Sequence, residues 1–553
     1  MGAIARETIG RALRSGGPVS GATTIRCAVA GALAAIALAA PAMASPAQES
    51  IIQDDPLLLD ATTQDEVDAA FARFRTAGAD RVRVSLFWFL VAPGSSEQQR
   101  PAGASYPPEA WATYDRIVRG AARAGMPLLM SVAGPGPAWA TPGDRCEDHP
   151  GRGCGEGTFR PDPREFGRFV EAAGRRYSGG RLPRVSTWSI WNEPNYPSSL
   201  EPVWEDNRPA SKEDMVPAAP RHYRELVDAA WAGLSASGHG NDRILIGETA
   251  PRGGKNPRKL GNAMAPAEFA RELYCVDESH EPWTGAAARA RGCPETARQR
   301  SAFRSQHPAL FRSQGWAHHP YSLARGRWRA PLWRHELADN VAIGNIGHLV
   351  QTVARSAGAW GGGKRKSIWI TEYGYQTTPP DPVAGVAPAR HGPLYAWGEA
   401  LAYRDPHVAS IAQFLLFDDG PVEGFAGADP RRWVTWQSGL FDAERRAKPF
   451  DRDYRLPLHL DQIGQEVRVF AGFRAAPAAE GVLRGVAPRL GLDAVVQHAP
   501  KGGEWRTVRE LEVRNPRGYL ETSLLRLEPG RLRIVWLDPV SHRLAVTRAA
   551  AVR

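Results

Sequence analysis

Cysteine is scarce in this chain, with 5 among 553 residues, and no two of them have the C-x-x-C spacing typical of a zinc site. Without Cys27, which lies in the N-terminal segment, four remain: Cys146, Cys154, Cys275 and Cys293. An even number in an exported chain indicates disulfides, and four cysteines allow three connectivities. Pairing nearest neighbours, Cys146 with Cys154 and Cys275 with Cys293, would close two loops rich in Gly, Pro and Asp.

Long apolar runs are also absent, apart from one near the N-terminus. The apolar residues 27–40 follow four arginines and lead into Ala42-Met43-Ala44 before Ser45. A basic start, a short apolar stretch and small residues are typical of a secretory signal peptide. A membrane anchor is the alternative, but spanning a bilayer takes about 20 apolar residues. We therefore expect residues 1–44 to be removed and the mature protein to be extracellular, periplasmic or at the cell surface, without stable membrane insertion.

The sequence has no long run of like charge and no nucleic-acid-binding motif. The net charge is +10, and residues 1–44 contribute 4 − 1 = +3 of it, which leaves +7 on the mature chain. The arginines are scattered through helical segments, so a solvated basic surface explains them better than a polyanionic partner. No nucleic-acid partner is expected, whereas an acidic polysaccharide stays open.

The chain also lacks the glycine-rich nucleotide loop that would follow the first strand of a doubly wound sheet. Instead, β-like runs alternate with amphipathic helical segments from about residue 50 to 455. Eight such units predict a parallel (β/α)₈ barrel, so we assign residues 45–455 to a barrel domain. The predicted strands are Ser50–Asp54, Arg81–Phe87, Pro127–Ala133, Val185–Trp191, Arg243–Gly247, Gly315–Ala317, Ser367–Thr371 and Ser410–Leu416.

The character of the chain changes after Pro457. Short alternating segments are separated there by Gly, Pro and Asp, as in Glu466–Phe470, Leu492–Gln497 and Leu532–Leu537. This pattern predicts a small antiparallel, sandwich-like β domain over residues 456–553. Packing support for the barrel is the favoured role, and sugar binding is the alternative.

Two glutamates stand where a predicted strand of the barrel ends. Glu193 follows Val185–Trp191, in Asn192-Glu193-Pro194, and Glu372 follows Ser367–Thr371. The carboxyl ends of barrel strands converge on one mouth, where the chemistry of such barrels takes place. Hydrolysis of a glycosidic bond with retention needs two carboxyl groups about 5–5.5 Å apart, one protonated and one ionised.

These motifs resemble clan A, the superfamily of (β/α)₈-barrel retaining glycoside hydrolases, and within it the cellulase-like and xylosidase-like families. The resemblance covers residues 50–455 and implies that Glu193 is the acid/base and Glu372 the nucleophile. Arg83 resembles the strand-two arginine that keeps the nucleophile ionised. His319 and Tyr321 resemble a strand-six His-x-Tyr whose tyrosine hydrogen-bonds the nucleophile. Asn192 would hold the sugar 2-hydroxyl, a contact that strengthens in the transition state.

The sequence departs from this family at the end of strand eight. Many members have a tryptophan there, whereas this chain reads Phe414-Leu-Leu-Phe-Asp-Asp419. A tryptophan of the following loop, Trp433 or Trp436, could supply the missing platform for a sugar ring. Because sugar rings stack on aromatic side chains, we predict a substrate-binding group made of tryptophans near strand ends: Trp88, Trp139, Trp191, Trp433 and Trp436.

Other readings of these residues stay open. Glu248 also ends a predicted strand, but no asparagine precedes it, so a structural or substrate-contact role is favoured. His318 and His319 are poor joint metal ligands because adjacent strand residues point to opposite faces, and we expect neither metal nor cofactor. The sequence predicts a secreted retaining hydrolase of a β-linked poly- or oligosaccharide. A transglycosylase with the same covalent intermediate and a non-catalytic carbohydrate-binding or cell-surface protein are the alternatives.

Overall fold

A computed structural model describes most of the chain beyond the predicted signal peptide. None of the helices in the described part has both the length and the apolar character needed to cross a membrane. Residues 1–43, Cys146 and Cys154 lie outside the described residues, so the predictions made for them are not tested. The described residues are 44–92, 100–141, 157–206, 215–254, 262–324, 327–362, 365–474, 492–538 and 544–553.

Eight parallel strands close into a barrel in chain order, with the first strand paired to both the second and the eighth. This confirms the predicted (β/α)₈ fold. The strands are β1 (Glu49–Gln53), β2 (Arg81–Phe87), β3 (Leu128–Ala133), β4 (Thr187–Ile190), β5 (Arg243–Thr249), β6 (Gly315–His318), β7 (Ser367–Ile370) and β8 (Val408–Phe414).

Helices alternate with the strands along the chain, and the longer ones bury apolar residues in the same core as the outward strand side chains. The helix Gln64–Ala77 illustrates how local sequence sets its limits: Thr63 and Glu66 form a capping box, and Gly78 ends it in a left-handed conformation. The α-helices are Asp55–Leu59, Gln64–Ala77, Trp88–Val91, Ala112–Ala124, Pro163–Arg176, Ala219–Ala236, Pro266–Leu273, Gly285–Ala290, Ala297–Gln306, Pro308–Arg312, Ile346–Gly358, Pro388–Arg404 and Pro449–Arg455. Short 3₁₀ helices lie at Pro108–Trp111, Ala138–Ala140, Ile343–Asn345 and Pro430–Trp433.

Side chains alternate across the barrel wall, as they must in a strand. In β2 the outward residues Val82, Val84 and Leu86 join the large apolar core beneath the helices, so Arg81 and Arg83 point to the interior. The interior has a separate apolar layer made of Ile51, Leu129, Leu245, Ala317, Trp369 and Ala412. Toward the carboxyl ends the interior becomes polar, with the buried residues Gln53, Arg83, Ser131, Ser189 and Thr371. The fold therefore places the polar groups at the mouth.

The C-terminal segment forms two antiparallel sheets. One contains β9 (Leu458–Ile463), β10 (Glu466–Gly472) and β13 (Tyr519–Leu525), and the other contains β11 (Leu492–Pro500), β12 (Arg506–Val513), β14 (Gly530–Leu537), β15 (Leu544–Val546) and β16 (Ala550–Val552). A single apolar cluster takes residues from both sheets, among them Val469 and Leu520 from one and Val496 and Ile534 from the other. The two sheets thus share a core, as in a sandwich.

The β sheets contact the barrel near the amino ends of its strands. Arg517 pairs with Asp80, which precedes β2, at 2.6 Å, and Gln48, which precedes β1, donates to the Tyr519 hydroxyl at 3.3 Å. Arg474 pairs with Glu399 of the helix Pro388–Arg404. These contacts lie at the end of β1 and β2 that is opposite the mouth.

One of the expected disulfides lies in the loop between β5 and β6. Cys275 and Cys293 are bonded to each other, which confirms the nearest-neighbour pairing for these two cysteines. The bridge closes a segment that contains the short helix Gly285–Ala290.

Candidate active site

The ends of β4 and β7 bring Glu193 and Glu372 together. One carboxylate oxygen of each, with a ring nitrogen of His319, lies within 4.8 Å of the others. The carboxyl groups of retaining hydrolysis are about 5–5.5 Å apart, whereas inverting hydrolysis needs about 6.5–9.5 Å to admit a water between them. The observed separation suits the retaining arrangement. Both side chains reach solvent, with 21% of Glu193 and 12% of Glu372 exposed.

The backbone around Glu193 is strained. Trp191 has a φ of 70° and Glu193 a φ of 44°, a left-handed region that residues other than glycine enter rarely. Trp191 N–H donates to the Val132 carbonyl and Glu193 N–H donates to the Glu248 carbonyl, each at 2.8 Å. Such strain persists only where neighbouring structure enforces it, and it is concentrated at functional sites.

Arg83 lies at the centre of the cluster and is fully buried. Its Nη1 donates to Glu372 Oε1 at 2.9 Å, and its Nη2 donates to Asn192 Oδ1 at 3.1 Å and to Glu248 Oε2 at 3.3 Å. Burial acts to lower the pKa of Arg83, but the nearby Glu248 and Glu372 outweigh it and raise that pKa. The arginine is therefore a permanent positive charge shared between two carboxylates.

Glu372 is held by a second donor. The Tyr321 hydroxyl donates to Glu372 Oε2 at 3.1 Å. Burial and the neighbouring Glu372 raise the pKa of Tyr321 well above its usual value, so the hydroxyl keeps its proton and stays a donor. Burial raises the pKa of Glu372 as well, against the opposing pull of His319 and Arg83. The negative charge of the neighbouring Glu193 acts in the same direction as burial and also raises the pKa of Glu372.

His319 connects the carboxylates. Its Nδ1 lies 3.0 Å from Glu193 Oε1 and its Nε2 lies 2.8 Å from Glu248 Oε2. Burial acts to lower the pKa of His319, but the three carboxylates Glu372, Glu193 and Glu248 raise it to about 10. At neutral pH the ring is therefore an imidazolium that donates from both nitrogens.

Glu193, His319 and Glu372 are spaced closely enough to bind a metal ion. A metal ligand must be a neutral imidazole with a free lone pair. In the doubly protonated state that its neighbours favour, His319 has no such lone pair. The donor set thus suits proton transfer better than metal binding.

The five tryptophans of the predicted substrate-binding group lie in different environments. Trp88 and Trp191 are almost wholly buried, at 0% and 1% exposure, and offer no ring face to a sugar, contrary to the expectation. Trp139 is half-buried and packs edge-on against Trp88. The indole of Trp433 donates to the Gly427 carbonyl beside Arg432.

Trp436 packs its ring against Tyr321, the hydroxyl donor to Glu372. Its half-buried ring lies 5.1 Å from the ring of Tyr321 and 5.2 Å from that of Phe414 at the end of β8. The loop after β8 therefore places an aromatic ring where the strand itself has no tryptophan.

Several residues of this cluster were missed in the sequence. Gln53 accepts a bond from Arg83, Ser131 lies 3.4 Å from it, and Ser189 and Thr371 both donate to Glu248. Three of them lie on the inward face of their strands, as Arg83 does, and Thr371 keeps the same parity one residue beyond β7. That shared parity is the signal that could have identified them. Glu248 was assigned a structural or substrate-contact role, yet it lies in the same hydrogen-bond network.

Comparison with known proteins adds little beyond the fold. No family model and no curated protein matches the sequence. Among solved structures, the chain is similar to a family 39 glycoside hydrolase from the gut symbiont Bacteroides cellulosilyticus WH2 (13% identity, 87% of this chain and 80% of that one, TM-score 0.44). It is also similar to GH5_18 from Streptomyces cattleya, solved with GlcNAc (14%, 74% and 79%, TM-score 0.41).

A third likeness is to the exo-beta-1,4-mannosidase Op5Man5 from Opitutaceae bacterium strain TAV5 (12% identity, 74% of this chain and 58% of that one, TM-score 0.41). Identities and TM-scores this low carry no argument about activity. The observations that bear on function are the closed barrel and the carboxylate pair at its mouth.

Proposed function

We propose that the protein is a retaining glycoside hydrolase acting on a β-linked poly- or oligosaccharide. The observation that carries the proposal is the placement of Glu193 and Glu372, with oxygens within 4.8 Å of each other at the mouth of the barrel. Oxygens this close are compatible with attack by one carboxylate while the other protonates the leaving oxygen.

In the first step Glu372 attacks the anomeric carbon while Glu193 gives its proton to the leaving oxygen. Arg83 and Tyr321 each donate to one oxygen of Glu372, and these contacts favour its ionised form against the burial that raises its pKa. Glu193 has the imidazolium of His319 as its partner and is the more exposed of the two carboxyl groups. The products are a covalent glycosyl-enzyme and the released alcohol.

In the second step Glu193, now ionised, removes a proton from a water that attacks the same carbon, and Glu372 leaves. Two inversions at one carbon amount to retention. A sugar hydroxyl taking the place of water would make the protein a transglycosylase, and the ratio of the two products distinguishes them.

The surroundings of the pair contain side chains of the kinds that bind sugars. Trp436 supplies an aromatic ring next to Tyr321, and sugar faces stack on such rings. Asn192, which accepts a bond from Arg83, would bind a hydroxyl of the sugar ring. We also propose that the protein is exported, since its N-terminal residues have the pattern of a signal peptide and disulfides such as Cys275–Cys293 persist in oxidising compartments.

The test begins with the wild-type protein on aryl β-glycosides and on xylan, mannan, glucan, galactan and arabinan. Proton NMR of the first product should show the β-anomer before mutarotation. Appearance of the α-anomer would contradict the retaining mechanism. Saturable sugar binding with no release from any substrate would instead identify a carbohydrate-binding protein.

The Glu193→Ala variant tests the acid/base role. Activated aryl glycosides should still form the glycosyl-enzyme, while poor leaving groups should react about 10²- to 10⁴-fold more slowly, because they need the proton. Azide should restore turnover and yield a β-glycosyl azide. If the rate fell by the same factor with every leaving group and no azide product formed, Glu193 would not be the acid/base.

A further inference from the structure

The site contains one buried carboxylate that the proposed reaction does not use. Glu248 lies in a bulge near the end of β5: Ile246 pairs with Trp316 and Thr249 with His318, so β5 has one extra residue there. Gly247 makes this possible, because its φ is 104° and a Cβ there would lie 2.6 Å from the Trp316 ring. Bulges next to active sites redirect side chains, and this one turns Glu248 into the cluster.

Glu248 has two hydrogen-bond partners on strands β2 and β4 and two in the residues that directly follow β6 and β7. Its oxygens accept from Ser189, from Thr371 at 2.7 Å, from His319 Nε2 at 2.8 Å and from Arg83 Nη2 at 3.3 Å. The side chain is fully buried, and its backbone has a φ of 45°. A substrate-contact role is therefore disfavoured, because no part of the carboxylate is open to the mouth.

We propose that Glu248 is a positioning residue for the acid/base Glu193, acting through His319; this inference rests on the proposed function. With Nε2 bonded to Glu248, the ring of His319 is oriented so that Nδ1 faces Glu193 Oε1 at 3.0 Å. The Glu248 carbonyl also accepts the Glu193 N–H at 2.8 Å. One residue thus holds both the backbone of Glu193 and the imidazolium beside its carboxyl group.

The charges of the cluster give Glu248 a second effect. Three carboxyl groups (Glu193, Glu248 and Glu372) face two cations, Arg83 and His319. If Glu248 and Glu372 are ionised, the cluster is neutral when Glu193 carries a proton, which is the state required to start the reaction. Although burial opposes it, Arg83 and His319 lower the pKa of Glu248 to about 2, so this negative charge is permanent.

Other titratable groups around Glu248 do not replace this charge. Tyr223 on the helix Ala219–Ala236 keeps its proton, because burial raises its pKa far above neutrality. Burial lowers the pKa of His318 to about 3, so His318 is neutral. If Glu248 became uncharged while Glu193 carried its proton, two cations would face the single carboxylate of Glu372. Because this excess of positive charge favours the loss of a proton, the cluster would release one at lower pH.

The Glu248→Gln variant tests the proposal, because glutamine keeps the shape and loses the charge. The alkaline limb of kcat/KM should move to lower pH by about one unit. Substrates with poor leaving groups should react about 10- to 100-fold more slowly, while activated aryl glycosides should be affected by less than about threefold, since they do not need the proton.

Glu399→Gln is the matched control. Glu399 is also fully buried and paired with an arginine, Arg474, but its partners lie at the β-sheet interface. The Glu399→Gln substitution should lower the free energy of unfolding without changing the pH dependence of kcat/KM or its dependence on the leaving group. Thr371→Val removes one bond to Glu248 and keeps the charge, so its effect on the alkaline limb should be smaller than that of Glu248→Gln.

Nitrogen NMR of the imidazole rings gives a readout that needs no substrate. His319, assigned by comparison with His319→Gln, should be doubly protonated at pH 8 in the wild type and should lose a proton at lower pH in Glu248→Gln. If Glu248→Gln behaves as Glu399→Gln in both kinetics and NMR, the positioning role is overturned while the hydrolase stands. A different outcome is that the wild type cleaves no glycoside, while His319 still loses its proton at lower pH in Glu248→Gln. In that case the proposed function is wrong, and so is the acid/base role of Glu193.

Discussion

Two buried groups of arginine and glutamate lie at opposite ends of the barrel. At the mouth, Arg83 is bonded to Glu372 and Glu248. At the interface with the C-terminal sheets, Arg474 is bonded to Glu399, which also accepts the Tyr519 hydroxyl at 2.8 Å. Both arginines pair with glutamates whose burial is nearly complete. The chemistry of the contacts is the same, but the charge balance and the access to solvent differ.

The interface group is closed and balanced, with one arginine against one glutamate. The mouth group has three carboxyl groups against two cations, and two of the three reach solvent. Strained backbone also occurs at the mouth, at Glu193 and Glu248. The balanced pair at the interface holds the sheets and the barrel together. At the mouth, the excess of carboxyl groups over cations leaves a proton that can be transferred. Each of the following variants is expected to separate the two groups.

The largest effect is expected from Glu372→Gln. An amide cannot attack the anomeric carbon, so kcat on an activated aryl glycoside should fall by about 10⁴-fold or more. The thermal unfolding midpoint should change little, because the glutamine oxygen can still accept from Arg83 while its amide N–H donates to the Tyr321 hydroxyl. If this variant kept its turnover, Glu372 would not be the nucleophile, and the mouth group would lose the catalytic role that sets it apart from the interface group.

Glu399→Gln should have the opposite profile. It leaves Arg474 buried without a counter-charge, which should lower the free energy of unfolding by about 3 kcal/mol, while kcat stays at the wild-type value. Denaturant unfolding followed by fluorescence measures the loss. The double variant Glu399→Gln/Arg474→Met should regain part of that stability, and a further loss in the double variant would show that the pair is not coupled.

Tyr321→Phe tests the hydrogen bond from the tyrosine hydroxyl to Glu372 at the mouth. It removes one hydroxyl donor to Glu372 and keeps the ring that packs against Trp436. A hydrogen bond to a charged group contributes about 1.5–3 kcal/mol, so kcat should fall about 10- to 100-fold with KM nearly unchanged. A rise in KM with kcat intact would mean that the tyrosine binds substrate instead of holding the nucleophile.

The smallest effect concerns an ion pair at the rim of the interface, between Asp461 on β9 and Arg404 at 2.6 Å. Burial opposes the shift, but His459 and Arg404 lower the pKa of Asp461 to about 2. A lowered pKa gives stability that is present above the ordinary value of 3.8 and is lost as the pH falls towards 2. Because the pair is partly exposed, Asp461→Asn should lower the free energy of unfolding by less than about 1 kcal/mol at pH 7, and wild type and variant should converge near pH 2.

Local patterns predicted the barrel well because its strands are apolar on one face and bounded by turn residues. β2 was predicted with its observed limits, Arg81–Phe87. β9 and β16 were missed because their sequences, Leu-His-Leu-Asp-Gln-Ile and Ala-Ala-Val, are weak strand formers that are stabilised by pairing with β10 and β14. The sequence positions of all five tryptophans predicted that they line the mouth. Two of them are buried instead, because Trp88 packs against Phe169 and Trp191 packs against Phe166.

The amino-acid sequence by itself determined the alternation of strands and helices, and with it the position of Glu193 and Glu372 at strand ends. Each of those features depends on residues close together in the chain. Only the tertiary structure decided the role of Glu248, because its orientation depends on a bulge set by Gly247 against the ring of Trp316, 69 positions away. The same holds for the charge balance of the mouth, since its three carboxyl groups and two cations belong to five different strands or to the residues that follow them, which meet when the barrel closes.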